Sequence, residues 1–149
     1  MEKIQISSED EIETTIKKNA EETTRKEDNV MELITATMRK KLLHNGTLQR
    51  KRFNAQKPDL NFKPVVKLFR GDGACRWLIS ELDPKDPDMA WGLCDLGLGS
   101  VELGMFRISE IQAHALPPSF PIERDKFFKA EKTIGEYTDE ALDEGRIVA

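Results

Sequence analysis

Acidic, basic and guanidinium groups stand side by side in PSFPIERDKFF, residues 118–128 of the chain. Glu123 and Asp125 are two residues apart, so in an extended strand both carboxylates lie on one side and Arg124 lies on the other. A carboxylate acting as general base beside an anion-stabilising arginine is one chemistry that such a set supports. That catalytic interpretation requires a cleft and a carboxylate with a shifted pKa.

A structural interpretation of the same segment competes with the catalytic one, and we favour it. Arg124 can form a bidentate salt bridge with an acid of the sheet, for which we expect Glu102. Phe127 and Phe128 would then bury their rings and hold the segment closed. Pairs of arginine and acid are far commoner than catalytic sites that lack a sequence signature.

A second group of acids surrounds the ends of the predicted strands: Asp83, Asp86, Asp88, Asp95 and Glu102. Hard cations such as Mg²⁺ bind where several carboxylates converge, and Asp95 facing Glu102 would supply two. The same carboxylates could instead accept hydrogen bonds from an arginine, and DPKDPD also has the composition of an exposed turn. A metal-dependent hydrolase or nuclease that uses Asp95, Glu102, Glu123 and Asp125 is therefore kept as an alternative.

A basic segment, LQRKRFNAQK, covers residues 48–57. Its four cationic side chains and one aromatic ring form a candidate binding set for nucleic acid or a partner: Arg50, Lys51, Arg52, Phe53 and Lys57. The cations could neutralise phosphates while the ring stacks on a base, as in proteins that bind single strands. The competing interpretation is a solvated loop, or a loop that docks on the acidic C-terminal half.

The other reactive residue types do not form a catalytic or metal-binding motif. Cys75 and Cys94 lie on predicted strands without metal-ligand spacing, and His44 and His114 lie near predicted helix ends. The 149 residues contain no nucleophile elbow, Walker loop or dinucleotide fingerprint. We therefore assign no catalytic residue, no metal ligand and no cofactor from the sequence.

Length and composition predict one domain with an extension. A chain of 149 residues with 38% hydrophobic and 34% charged residues fits one compact soluble domain, which we place at residues 30–149. Residues 1–29 form a polar extension, helical or disordered, in which Ser8 and Glu11 would cap a helix over residues 9–26. Two cysteines, no secretory signal and no membrane span predict a cytoplasmic protein.

The net charge of −4 is unevenly distributed along the chain. Residues 1–29 carry −4, residues 30–70 carry +8 and residues 71–149 carry −8. This asymmetry indicates either an anionic partner for the middle segment or neutralisation within the fold.

The elements that must position these residues start with a helix that Thr35 caps and that Asn45-Gly46 ends. A basic loop then covers residues 47–63. Four predicted strands follow: residues 65–70, 74–82, 89–96 and 101–108. Because their connections are short, we expect an antiparallel meander.

The ends of the remaining elements follow from turn and capping signals. A two-residue turn at Leu98-Gly99 would place Asp95 opposite Glu102 and Trp91 opposite Phe106. Two helices complete the domain: a short one capped by Ser109 with Gln112, and a terminal one capped by Thr133 with Glu136 and ended by Gly145. The predicted fold is α+β, with an antiparallel sheet of about four strands packed against an N-terminal, a short and a C-terminal helix.

Four segments in fixed order carry a family likeness: PVVKLF, WLISELDPKDPDMAWGLCDLG, ELGMFRISEIQA and FPIERDKFF. Together with the helix LITATMRKKL before them, they resemble the bacterial family known as domain of unknown function 2958 over residues 31–128. The extension 1–29 and the basic loop at 49–61 look longer than in the usual member. The resemblance implies a setting, plasmids and other mobile DNA, and no particular reaction.

These observations favour a small cytoplasmic accessory protein of mobile genetic elements that acts without catalysis by binding a macromolecule. A protein partner, such as a nucleic-acid-processing or defence enzyme, is favoured over nucleic acid because the net charge is negative and the basic region is short. An acidic surface would suit such a partner, since carboxylates can occupy positions where it expects phosphates. Single-stranded nucleic-acid binding through the basic loop is the alternative, and we expect no membrane association.

Overall fold

The computed structural model describes residues 33–149, so the helix predicted at residues 9–26 lies outside the described residues. Three helices and five strands follow in order: α1 (Ala36–Asn54), β1 (Val66–Arg70), β2 (Arg76–Asp83), β3 (Asp86–Asp95), β4 (Val101–Arg107), α2 (Ile108–Ile111), β5 (Ile122–Arg124) and α3 (Ile134–Glu144). A single 3₁₀ turn, Gln112–His114, extends α2. The predicted α+β class is confirmed.

The five strands form one antiparallel sheet in the order β4-β3-β2-β1-β5. The first four strands are the predicted meander. The fifth, Ile122–Arg124, lies inside the charged segment 118–128 and pairs with β1. Three residues are too short for a period-2 pattern to show in the sequence, so this strand was not predicted.

Helix α1 is longer than expected, and the predicted stop at Asn45-Gly46 is wrong. Asn45 is buried and its Nδ2 donates to the Ser80 carbonyl of β2 at 3.0 Å. A Cβ on Gly46 would lie 1.8 Å from the Leu82 carbonyl oxygen, so this glycine lets the helix approach β2. The helix continues to Asn54, and the first half of the predicted basic loop is therefore helical.

The predicted caps of the two long helices are confirmed. The Thr35 hydroxyl accepts a hydrogen bond from the Met38 amide at 3.1 Å. Thr133 and Glu136 form a reciprocal capping box, and Gly145 ends α3 with a φ of 72°. Local capping signals thus located both helix starts.

The predicted cap of the short helix is wrong. Ser109 lies inside α2, which has no side-chain cap, and both its amide and its hydroxyl donate to the Asp88 carboxylate at 3.0 and 2.6 Å. This serine joins α2 to the start of β3.

The last two of the three hairpins differ from expectation. The proline-broken loop predicted at residues 83–88 is a tight turn at Pro84 and Lys85, because β2 runs to Asp83 and β3 starts at Asp86. The last hairpin has Asp95 opposite Val101 and Trp91 opposite Met105. The expected Asp95–Glu102 and Trp91–Phe106 pairs are therefore wrong.

The β3–β4 connection accounts for the different register. Gly97 and Gly99 both have positive φ values, 76° and 85°, in a connection of residues 96–100 that replaces the two-residue turn. A shift of one residue exchanges the two faces of a strand. The buried Val101, in place of Glu102, therefore lies beside Asp95, and the buried Asp95 carboxylate accepts from the Gly97 and Ile147 amides at 2.8 and 3.0 Å.

Helix α3 covers part of one sheet face. The core cluster beneath it joins strand, helix and C-terminal residues: Leu78, Leu93, Val101, Ile134, Tyr137, Ala141 and Ile147. On the opposite face, the Trp77 ring contacts His114 of the 3₁₀ turn, with ring centroids 5.6 Å apart. Within residues 33–149 no helix has the length and apolarity of a membrane span.

Candidate functional site

An apolar groove of about 610 Å³ opens between the C-terminal half of α1, residues 59–61 and the β3–β4 hairpin. Three large apolar side chains of its lining are exposed: Phe53 at 76%, Met105 at 58% and Leu103 at 38%. Trp91 and Met89 of β3 complete the apolar lining. We call this site the apolar groove.

One row of paired residues crosses the floor of the apolar groove. Glu81 of β2 is paired in register with Trp91 of β3, and Trp91 is paired with Met105 of β4. Cross-strand partners share a sheet face, so all three side chains lie on the groove side. We call this set the Glu81 row.

A β-bulge places Glu81 in that row. Ile79 pairs with Gly92 and Glu81 pairs with Trp91, so Ser80 is an extra residue without a partner in the ladder. Its carbonyl instead accepts the hydrogen bond from Asn45 of α1. If Ser80 instead took the ladder position opposite Trp91, strict alternation would direct Glu81 to the other face.

Glu81 is a carboxylate in apolar surroundings, with only 5% of the residue exposed. Its Oε1 accepts a hydrogen bond from Gln49 Nε2 at 2.7 Å. Burial raises the pKa of Glu81 to about 7; the hydrogen bond from Gln49 lowers that pKa and the charge of Asp59 raises it. A carboxyl group that titrates near neutral pH is a mark of functional sites.

Polar side chains fix the walls of the groove. Gln49 Nε2 also donates to the Leu60 carbonyl, and the Leu60 amide donates to Gln49 Oε1, both at 2.7 Å. Arg50 Nη2 donates to both carboxylate oxygens of Asp83 at 3.0 and 3.2 Å. These contacts join α1 to β2 and to the segment that leads to β1.

The predicted basic set lies in the C-terminal half of α1 and just after it, and two of its members line the apolar groove. Arg50 and Phe53 line the apolar groove, whereas Lys51 and Lys57 are exposed and do not belong to its lining. Arg52 donates through Nε to the Pro58 carbonyl at 3.0 Å. Two of the five residues thus belong to the groove lining, and binding of nucleic acid or a partner by the full set stays a prediction.

The predicted charge cluster is divided. Glu102 lies on β4 and Glu123 on β5, at opposite edges of the sheet. Four strand spacings separate the two edges by about 19 Å, so the expected salt bridge from Arg124 to Glu102 is wrong. Asp95 is buried between these edges, and the four acids of the hydrolase hypothesis do not converge.

The segment 118–128 is held by contacts at its own edge of the sheet. Arg124 is paired in register with Leu68 of β1, and Asp125 lies 3.3 Å from Lys67 Nζ. Phe128 packs beside Tyr137, whereas Phe127 is 95% exposed, so the expected burial of both rings is wrong for Phe127. No cluster of three or more metal-ligating side chains is found in residues 33–149.

The central residues of the apolar groove were not predicted as site residues. The sequence contains one signal for them, the lone acid in the mainly apolar run WLISEL, residues 77–82. Its neighbours Gln49 and Met105 are distant in sequence, and only the register of the sheet brings them together.

Searches among curated proteins and among solved structures gave no match to this chain. The family model described as protein of unknown function DUF2958 matches residues 33–148. The match runs past the resemblance at residues 31–128 and includes all the elements from α1 to α3. Because it covers most of the sequence, the chain belongs to the DUF2958 family.

Proposed function

We propose that this protein acts without catalysis and binds a segment of a partner protein in the apolar groove. The observation that carries the proposal is the convergence of Phe53, Leu103 and Met105, three exposed apolar side chains, on one groove. Contiguous exposed apolar surface rimmed by polar groups is typical of interaction sites. Binding would remove these side chains from water.

The charges of the groove support a partner segment with net positive charge. Asp59, Glu81 and Asp83 line it, with Arg50 as the basic residue of the lining, and Arg50 is bound to Asp83. This balance disfavours phosphates and favours an amphipathic segment with basic residues.

The cellular setting is part of the proposal. We place the protein in the cytoplasm, in the mobile-DNA setting that the family likeness implies. A nucleic-acid-processing or defence enzyme with a basic, partly apolar surface is the class of partner that fits.

Site-specific photo-crosslinking tests the proposal. A benzoylphenylalanine at position 105 should form a nuclease-resistant protein adduct in host lysate, whereas one at position 142, an exposed leucine of α3 outside the groove, should not. The adduct partner is then identified, purified and titrated.

Binding of the purified partner provides the decisive comparison. Met105→Lys should weaken its Kd by about tenfold or more, because a buried anchor becomes a charge, and the matched variant Leu142→Lys should leave the Kd within about twofold. Equal effects of both variants, or no adduct at position 105, would contradict the proposal.

A second candidate function rests on a separate observation about α1. This helix of 19 residues contains six arginines or lysines and no aspartate or glutamate. Lys40 and Lys51 are exposed and three helical turns apart, so they lie on one side at a separation of about 16 Å. Such a stripe can contact phosphates.

Fluorescence anisotropy with a single-stranded oligonucleotide at low ionic strength tests this candidate. Salt-sensitive binding that Lys40→Gln with Lys51→Gln reduces would support it. Absence of binding, or binding that the double variant leaves unchanged, removes this candidate.

A further inference from the structure

We propose that Glu81 is the receptor for a basic side chain, lysine or arginine, of the partner segment that occupies the apolar groove. This inference rests on the proposed function and specifies its chemistry. It assigns a role to the one nearly buried acid among the described residues of the groove lining.

The Glu81 row provides the path for such a side chain. Exposure falls along the row from Met105 at 58%, through the half-buried Trp91, to Glu81 at 5%. The two strand spacings between Met105 and Glu81 amount to about 10 Å. Lysine and arginine place aliphatic stems along apolar surface and carry the charge at the tip. A stem lying over Trp91 would therefore bring its cation toward Glu81, with an added contribution from the indole face.

Glu81 retains an oxygen for a ligand. Oε1 accepts from Gln49, whereas Oε2 accepts no hydrogen bond from the described residues. Every buried side-chain oxygen of these residues has a hydrogen-bond partner, so Oε2, which has none, must be accessible to solvent. The cavity that Glu81 lines is the groove. By contrast, both oxygens of Asp83 are occupied by Arg50.

Electrostatics favour a cation at this place. An ionised carboxylate in apolar surroundings loses hydration, and a hydrogen-bonded cation is the partner that compensates for that loss. The charged groups of the groove around Glu81 are Asp59 on the connecting segment, Asp83 on β2 and Arg50 on α1. Because Arg50 is paired with Asp83, a cation of the bound segment would supply the positively charged partner that Glu81 lacks.

Binding should therefore be linked to protons. Burial keeps the pKa of Glu81 at about 7 in the unoccupied groove, so much of this carboxyl group is protonated at pH 6. A bound cation favours the ionised form, so binding releases a proton and becomes tighter as the pH rises through 7.

A pair of peptides tests the inference on the full chain. The probes are acetyl-Leu-Ala-Arg-Ala-Leu-amide and the same peptide with citrulline, which is close in shape to arginine and neutral. At pH 8 the arginine peptide should bind about tenfold more tightly than the citrulline peptide, as followed by amide chemical shifts, and the preference should shrink at pH 6. Calorimetry at pH 7 in two buffers of different ionisation enthalpy should detect proton release.

Two variants locate the effect. Glu81→Gln keeps an oxygen for Gln49 and should abolish both the arginine preference and the proton release. Glu102→Gln removes an exposed acid of β4 outside the groove lining and should leave both unchanged.

Several results would overturn the inference without deciding the proposed function. Equal affinity for the two peptides, preference retained in Glu81→Gln, or shifts confined to residues outside the groove would each exclude Glu81 as receptor. Failure of both peptides to bind would also overturn it, whereas the crosslink from position 105 judges the groove independently.

Discussion

The apolar groove and the β5 edge of the sheet contrast in how they use charge. At the β5 edge, Asp125 faces Lys67 and also accepts the Phe127 amide at 2.9 Å, so a dense charged run is held by local contacts. In the groove, Glu81 has an amide donor on one oxygen and an accessible second oxygen. The dense charged run is thus accounted for by contacts within the fold, whereas the proposed site rests on a single acid among apolar residues.

The two regions also differ in how their exposed apolar side chains are arranged. Phe127 is almost fully exposed outside the groove, and a single exposed ring carries little information. Phe53, Leu103 and Met105 are exposed together around one cavity. Convergence, more than exposure, separates the two regions.

The largest expected effect concerns the support of the groove. Gly46→Val should destabilise the protein by about 3 kcal/mol, because the new side chain would displace α1 from the Leu82 carbonyl. The matched variant Gly104→Val adds the same side chain on β4, where a Cβ meets nothing within 4 Å, and should change stability by less than about 0.5 kcal/mol. Urea unfolding measures both. Similar stabilities of the two variants would show that the groove wall does not depend on close approach at Gly46.

The next largest effect concerns the pH dependence of stability that the buried Glu81 carboxyl group causes. The folded pKa of Glu81, about 7, exceeds its ordinary value of 4.5, so as the pH rises the unfolded chain releases this proton first. Its contribution to stability is complete below pH 4.5 and is lost as the pH rises to 7, a loss of about 2–3 kcal/mol.

Glu81→Gln should remove that pH dependence and raise the melting temperature at pH 8, as measured by calorimetry across pH 4.5 to 8. Glu102→Gln leaves Glu81 in place and should keep the wild-type dependence. An unchanged dependence of the melting temperature on pH in Glu81→Gln would mean that Glu81 is not the buried acid that distinguishes the groove.

The smallest effect belongs to the β5 edge. Phe127→Ser should change stability by no more than about 0.5 kcal/mol, because the ring is almost fully exposed. Phe128→Ser should cost about 2 kcal/mol, since its ring packs on the core beside Tyr137. Thermal unfolding compares the pair. Equal losses would place Phe127 in a contact of its own and weaken the contrast between the regions.

Local signals predicted the parts of the fold that depend on neighbouring residues. Thr35, Thr133 and Gly145 satisfy backbone groups within one turn, so their roles could be read from the sequence. Gly46 has the composition of a stop signal, but its role is a contact with β2, some 36 residues away in sequence, which overrides the local preference.

The candidate site could be predicted only in part, for the same physical reason. Arg50 and Phe53 were included in a candidate set by residue type, whereas Glu81 enters the site through a bulge that no local pattern signals. The assumed two-residue turn before β4 was replaced by a longer one, and that difference alone removed the Asp95–Glu102 pair. The partner expected for Arg124 failed because the position of β5 next to β1 had not been predicted.

The bulge at Ser80 shifts the side-chain alternation of β2 by one residue. Before the bulge, Leu78 lies in the core under α3. After it, Glu81 lies beside Trp91 in the lining of the groove. Loss of Ser80 would restore regular pairing with Glu81 still beside Trp91, but would remove the carbonyl that receives Asn45. A deletion at this one position would therefore loosen the attachment of α1 to β2 while the residues of the hydrophobic core stay the same.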